Sequence, residues 1–198
     1  TYINLKIRPM KKLVLSSVFV FLVLFSSAQT ATNFNCNDCA ATNHDLFAEL
    51  AAGKVIVITW VMPCGSCINS AATASTTVQG YASSDPGRVK FYLVDDYGNT
   101  TCATLTSWAS TNGITFDAAF SNSAINMSNY GAAGMPKTVV IGGVGNNVFY
   151  NQNGTVSVSA MQAAIDNALL TGVSENTIPF SSVNLFPNPA NGTGTTLN

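Results

Sequence analysis

The sequence predicts an α/β fold with a central mixed sheet flanked by helices, and three observations predict it. Val55 to Trp60 is a β-branched apolar run after Gly53-Lys54 that reads as a buried strand. The stretch from Ile68 to about Tyr81 is rich in alanine and free of Pro and Gly until Gly80, which reads as a helix. Apolar runs and amphipathic stretches then follow in the order strand, helix, strand, strand, helix, as expected of a layered fold.

Taken in order, Gln29 to Asn35 is short and polar, and Cys36-Asn-Asp-Cys39 reads as a loose hairpin or turn. His44 to Leu50 reads as a short helical turn with Leu46, Phe47 and Leu50 facing inward. The core strand and the alanine-rich helix come next, and Asp85-Pro86-Gly87 is a turn. Val89 to Val94 is a second strand, ending at Asp95-Asp96. Thr100 to Asn112 is a helix with Cys102, Leu105 and Trp108 or Ala109 on one face, closed by Gly113. Ile114 to Asn129 carries no regular pattern. Gly134-Met135-Pro136 then leads into a strand, Thr138 to Ile141; Gly142 to Gly145 turn the chain, and Asn147 to Tyr150 return as its hairpin partner. Val158 to Leu170 is the last helix, with Met161, Ile165 and Ala168 or Leu169 on its inner face.

The ends read differently from this domain. Met10-Lys11-Lys12, an apolar run from Leu13 to Phe25 and Ser26-Ser27-Ala28 have the three parts of a secretory signal peptide, with cleavage expected between Ala28 and Gln29. The apolar run is too short for a membrane span, which needs about 20 residues, so no stable membrane anchor is expected. Thr1 to Pro9 precede the expected initiator and read as translated upstream sequence. The expected organisation is therefore 1–28 upstream residues and signal peptide, 29–172 folded domain, 173–184 linker and 185–198 a separate motif. From Gln29 onward 4 Lys/Arg stand against 9 Asp/Glu, a net charge of −5, which argues against nucleic acid as a partner.

All 5 cysteines lie in the exported part, where disulfides persist. Cys64-Gly-Ser-Cys67 stands where a strand ends and a helix begins, with Cys67 in the first helical turn. Unpaired N–H groups and the positive end of the helix dipole there favour a thiolate at Cys64. The pattern therefore reads as a redox pair. Two other readings compete: a structural bridge, and a four-cysteine zinc cluster with Cys36 and Cys39, although the strand between the pairs and the oxidising compartment weigh against zinc. Cys36, Cys39 and Cys102 are candidates for structural disulfides, as a Cys36–Cys39 pair or as a link from either to Cys102. His44, the single histidine, is distant in sequence from the redox pair and reads as a surface or packing residue. No metal or cofactor is expected.

From about Asn33 to Leu170 the chain resembles exported bacterial thioredoxin-like thiol:disulfide oxidoreductases. The resemblance rests on the strand leading to Trp60 and Cys64-Gly-Ser-Cys67, on Gly134-Met135-Pro136 before a strand, and on the order of elements around them. It implies a thioredoxin-like fold, catalytic Cys64 and Cys67, and a cis proline at Pro136 beside them. Trp60, Met62 and Met135 would line the substrate-binding rim. The implied partners are protein thiols or disulfides and a redox partner protein. Three positions depart from the family pattern: Ile58 stands where a buried acid is usual, Ser66 where proline is usual, and Pro63 where an aromatic is common. The alternative to an enzyme is a secreted binding module that keeps the scaffold with a structural disulfide. Leu185-Phe-Pro-Asn-Pro-Ala-Asn-Gly192 resembles the start of the C-terminal sorting domain of type IX secretion, truncated here, which would make the secretion machinery a further partner.

Overall fold

The computed structural model describes residues 29–172. The expected signal peptide, linker and sorting motif lie outside them. A small antiparallel hairpin, β1 (Asn35–Asn37) and β2 (Asn43–Asp45), precedes α1 (Leu46–Ala51). Then come β3 (Val55–Trp60), α2 (Gly65–Gln79), β4 (Val89–Asp95), α3 (Cys102–Thr111) and β5 (Ala118–Ser121). A 3-10 turn at Met127–Tyr130 leads to β6 (Lys137–Gly142), β7 (Asn147–Asn153) and α4 (Val158–Thr171). The five-stranded sheet has the order β5-β4-β3-β6-β7. β3, β4 and β5 run parallel, whereas β6 pairs antiparallel with β3 and β7 antiparallel with β6.

β3 is the axis of the molecule because all six of its residues are buried. Strand geometry sends alternate side chains to opposite faces, and the core divides accordingly. Val55 and Val57 join Ala71 and Ala74 of α2 and Met161 and Ile165 of α4 on one face. Ile56, Ile58 and Trp60 join Leu46 and Leu50 of α1, with Tyr92, Phe120 and Tyr130, on the other. A strand covered on both sides reads as a near-continuous apolar run, which is why Val55 to Trp60 shows no alternation. β4 behaves alike: only Lys90 is partly exposed, and the rest of the strand is buried on both faces.

Side-chain caps set the helix starts. Asp45 accepts from the Ala48 N–H, Thr101 from Thr104 and Ser157 from Ala160, each taking one of the N–H groups a helix start leaves unpaired. Gly113, at φ 67°, ends α3 in a conformation that disfavours other residues. In α1 Leu46 and Leu50 are buried, whereas Phe47 is only half-buried.

Among the described residues, one strand is not revealed by the sequence pattern. β5 has four residues, Ala-Ala-Phe-Ser, and only Phe120 is bulky, so neither length nor β-branching marks it. It forms because β4 offers a parallel edge and α3 supplies the crossover. Cys39 bonds Cys102 across 63 residues, tying the hairpin turn to the first residue of α3. The Cys39 N–H also donates to the Ala119 carbonyl at 2.7 Å, so hairpin, crossover helix and edge strand are fastened together.

Candidate active site

The C-terminal ends of the parallel strands and the start of α2 meet at one end of the sheet. Cys64 is the N-cap of α2, with extended backbone (φ −140°, ψ 161°), and no side chain caps the helix there. The helix start therefore leaves N–H groups directed toward the Cys64 sulfur. Cys64 is partly exposed; Cys67, one turn further in, is buried at 1% exposure among Val57, Ala71 and other residues of the α2 face. Both are free thiols, and their sulfurs lie 3.2 Å apart.

The two sulfurs have opposite proton affinities. The Ser66 hydroxyl, 3.1 Å from Cys64 Sγ, is the largest influence holding the Cys64 pKa below the ordinary thiol range. The Cys67 thiol and the backbone N–H groups of Cys67 and Ser66 act in the same direction. Burial pushes Cys67 up to about 11, and the neighbouring Cys64 adds to it. The dithiol is thus poised to carry its negative charge on the exposed sulfur and its proton on the buried one.

β6 brings the second part of the site. Trp60 pairs with Lys137 in the antiparallel register, so the residues just before Lys137 stand beside the strand end that leads to Cys64. The Met135–Pro136 peptide bond is cis. Met135 is half-buried and packs against both core clusters, and Pro136 is buried. Asn153, at the end of β7, holds this loop by donating to the carbonyls of Gly134 at 2.8 Å and Ala132 at 3.2 Å. Lys137 is 2% exposed, and its Nζ donates to Asn153 Oδ1 at 2.9 Å and to the Ala132 carbonyl at 3.2 Å. Desolvation lowers its pKa. At Gly134 (φ +149°) an added Cβ would lie 3.0 Å from the Asn153 amide nitrogen, so the loop needs glycine for both conformation and space. Lys137 and Asn153 are positioning residues that the sequence reading passes over. Seventeen residues separate Asn153 from Pro136, and only the β6–β7 pairing joins them.

Two expected rim residues differ in fate. Met62 is 47% exposed beside Pro63 and Cys64, in keeping with a rim position. Trp60 is not at the rim: it is 0% exposed, its indole N–H donates to the Ile125 carbonyl at 2.8 Å, and its ring lies 5.3 Å from that of Tyr130. Its place in the strand alternation turns it to the face opposite α2. Ile58 shares that face and is fully buried. On the α2 face, the buried polar contact of β3 with β6 is a hydroxyl pair, Thr59 Oγ1 to Thr138 Oγ1 at 2.9 Å.

The first cysteine pair does not close on itself. Cys39 is bonded to Cys102 and Cys36 is a free, half-buried thiol, so the link to Cys102 is the pairing adopted and the four-cysteine zinc arrangement is not formed. Burial and the Asp38 carboxylate raise the Cys36 pKa. His44 packs as expected, edge-on to Tyr92 and Phe120. Its Nδ1 lies 2.8 Å from Glu49 Oε1 and 3.0 Å from the Tyr92 hydroxyl, which itself donates to Glu49. This polar cluster joins β2, α1 and β4 on the face away from α2 and stands apart from the Cys64–Cys67 pair.

The architecture is a thioredoxin-like fold, with the cysteine pair at the start of the first helix after the central strand and a cis proline just before the adjacent antiparallel strand. Solved structures share it. The thioredoxin-family thiol:disulfide interchange protein from Chlorobium tepidum TLS superposes with TM-score 0.55 at 16% identity, covering 73% of this chain and 98% of that one. A candidate protein disulfide isomerase from Bacteroides thetaiotaomicron gives 0.60 at 14% identity, covering 75% and 93%. A secreted Mycobacterium tuberculosis disulfide oxidoreductase homologous to E. coli DsbE gives 0.50 at 18%, covering 68% and 95%. At such identities the likeness is one of fold. No family model matches the chain, and no curated protein matches it.

Proposed function

We propose that this chain is an exported thiol:disulfide oxidoreductase that exchanges disulfides with protein thiols through Cys64 and Cys67. The observation that carries the reading is the division of labour within the pair: a partly exposed sulfur at a helix start, 3.2 Å from a buried one. A thiolate attacks a disulfide, and access decides which thiolate does so. Cys64 attacks one sulfur of the partner disulfide; the Cys64–partner bond forms, the partner S–S bond breaks, and its second sulfur leaves as a thiolate. Once Cys64 is in the mixed disulfide its charge is gone, and one of the causes of the high Cys67 pKa goes with it. Cys67 then gives up its proton and attacks Cys64 Sγ, closing the Cys64–Cys67 bond and releasing the partner's first sulfur as a thiolate. The reverse sequence oxidises a partner dithiol. Ile58 offers no carboxylate for the Cys67 proton; the thiolate released from the partner is a base able to take it.

Export is supported by the Cys39–Cys102 bridge, which suits an oxidising compartment, and by the signal-peptide pattern in residues 1–28. Delivery by type IX secretion rests on residues 185–198. Truncation after Thr171 should leave thermal unfolding unchanged and abolish delivery to the surface or medium.

The reading is tested by trapping. A Cys67→Ser chain should accumulate a mixed disulfide through Cys64 with substrate proteins, and a Cys64→Ser chain should trap none. A Cys64–Cys67 bridge that mild thiols cannot reduce in the native state would instead favour the binding-module alternative. The reduction potential then gives the direction: near about −270 mV for a reductant, near about −120 mV for an oxidant.

A further inference from the structure

The Cys64–Cys67 pair is open to oxidants smaller than a protein. Gly65 and Ser66 are exposed and Cys64 is partly exposed, so a small molecule reaches the Cys64 sulfur from solvent. Between Lys54 and Asp85 the chain has no charged side chain, and the donors this stretch offers to that sulfur are neutral: the Ser66 hydroxyl at 3.1 Å and the N–H groups of Ser66 and Cys67. Exchange with a disulfide makes little use of the hydroxyl once attack begins, because the group that leaves is a weakly basic thiolate. A leaving alkoxide or hydroxide is a much stronger base and gains from a fixed donor beside it. Handling an oxidised sulfur also takes a second thiol, and Cys67 Sγ stands 3.2 Å away, buried and holding its proton. An accessible thiolate with a resolving cysteine beside it is the arrangement that forms sulfenic acid and removes it again before further oxidation.

We propose that Cys64 also reduces small hydroperoxides, with Ser66 donating to the leaving oxygen and Cys67 resolving the product, so that a hydroperoxide is a second source of the Cys64–Cys67 disulfide. Because it rests on the thiol–disulfide reading of the pair, this activity adds an oxidant to that cycle and keeps its protein partners. The Cys64 thiolate attacks the terminal oxygen of the hydroperoxide; an S–O bond forms, the O–O bond breaks, sulfur is oxidised by two electrons to sulfenic acid, and the second oxygen leaves as alkoxide or hydroxide. The Ser66 hydroxyl, within reach of the sulfur under attack, donates a hydrogen bond to that oxygen, which takes a proton from solvent and departs as alcohol or water. Cys67 Sγ then attacks Cys64 Sγ; the S–S bond forms, the S–O bond breaks, and the departing hydroxide takes the Cys67 proton to give water. The disulfide so formed goes on to oxidise a partner dithiol, which returns the pair to the reduced state.

The test follows the reduced full-length chain with hydrogen peroxide and tert-butyl hydroperoxide as oxidants and neutral 2-hydroxyethyl disulfide as the exchange reference. Each rate is divided by the thiolate fraction of the variant, read from thiolate absorbance. One Cys64–Cys67 disulfide should form per hydroperoxide consumed. Per thiolate, the reaction should be at least about tenfold faster than that of free cysteine, as a fixed donor to the leaving oxygen implies. In the Cys67→Ser chain dimedone should label Cys64 as the sulfenic acid, and the Cys64→Ser chain should consume no hydroperoxide. Ser66→Ala should slow the hydroperoxide reaction at least about tenfold per thiolate and slow the exchange reference less, with Ser66→Thr restoring the difference. A hydroperoxide rate no greater than that of free cysteine, or no dimedone adduct at Cys64, would overturn the proposal and leave the exchange reading standing. Equal slowing of the two reactions in Ser66→Ala would also overturn it, by removing the hydroxyl from the leaving-group role. If Cys64 reacts with neither the hydroperoxides nor the disulfide, the thiol–disulfide reading itself fails.

Discussion

Two Cys-x-x-Cys segments in one chain meet opposite fates. Cys64 and Cys67 face each other as thiols, whereas Cys36 and Cys39 part company, one free and one bonded to Cys102. Spacing is identical, so the difference lies in what surrounds it. Cys67 belongs to a helix that starts at Cys64, and one helical turn brings the two sulfurs to the same place. Cys36 lies on a hairpin strand, opposite His44, with its side chain against the second core cluster. Cys39 lies in the turn beyond that strand, packed against the first cluster beside α3. The electrostatics follow the same division. The Ser66 hydroxyl, the Cys67 thiol and helix N–H groups lower the Cys64 pKa, while burial and Asp38 raise that of Cys36. One segment brings two free thiols together, and the other ties the hairpin turn to α3.

The largest effect that would break this comparison is on chemistry. Cys64→Ser should abolish disulfide exchange, measured as turnover of a peptide disulfide, whereas Cys36→Ser should leave it intact. Loss of exchange in the Cys36→Ser protein would merge the two roles. The next is on stability. Cys102→Ser opens a loop of 63 residues, and chain entropy places the cost at about 4 kcal/mol, within the ~2–5 kcal/mol usual for native disulfides. Denaturant unfolding should show that loss, and the alkylation rate of Cys64 near neutral pH should stay as in the parent. A third effect concerns the loop before β6. Asn153→Ala removes the donors to the Gly134 and Ala132 carbonyls, so substrate KM should rise while alkylation of Cys64 by iodoacetamide is unaffected. The smallest is at Ser66. Ser66→Ala takes away the main influence on Cys64, and the midpoint of its thiolate absorbance should move up. Ser66→Thr should restore it.

The half of the molecule that carries the candidate site is the part most legible in the sequence. Val55 to Trp60 is unbroken and β-branched, so β3 can be placed from pattern alone, and the absence of Gly and Pro fixes the helix after it. The cis bond before Pro136 accords with the family resemblance. Local signals fail where a contact is made at long range. β5 is set by the edge of β4 and not by its own four residues. The choice of Cys102 over Cys36 as the partner of Cys39 depends on where α3 docks. Trp60 is adjacent to the site in sequence, yet the strand alternation sends it to the opposite face. Nothing in the sequence marks Lys137 as buried; its amine donates to Asn153 and a loop carbonyl, contacts made only after β6 and β7 pair.

The most direct test of the central claim is residue-resolved alkylation of the reduced protein by iodoacetamide across pH, with Cys64 and Cys67 quantified separately by mass spectrometry. A thiol reacts as its thiolate, so each labelling profile rises through that residue's own pKa. The account predicts that Cys64 labels with a midpoint below the ordinary thiol value of 9.0, and that Cys67 stays protected until the pH approaches about 11. Equal labelling of the two near neutral pH, or labelling of Cys67 before Cys64, would contradict it.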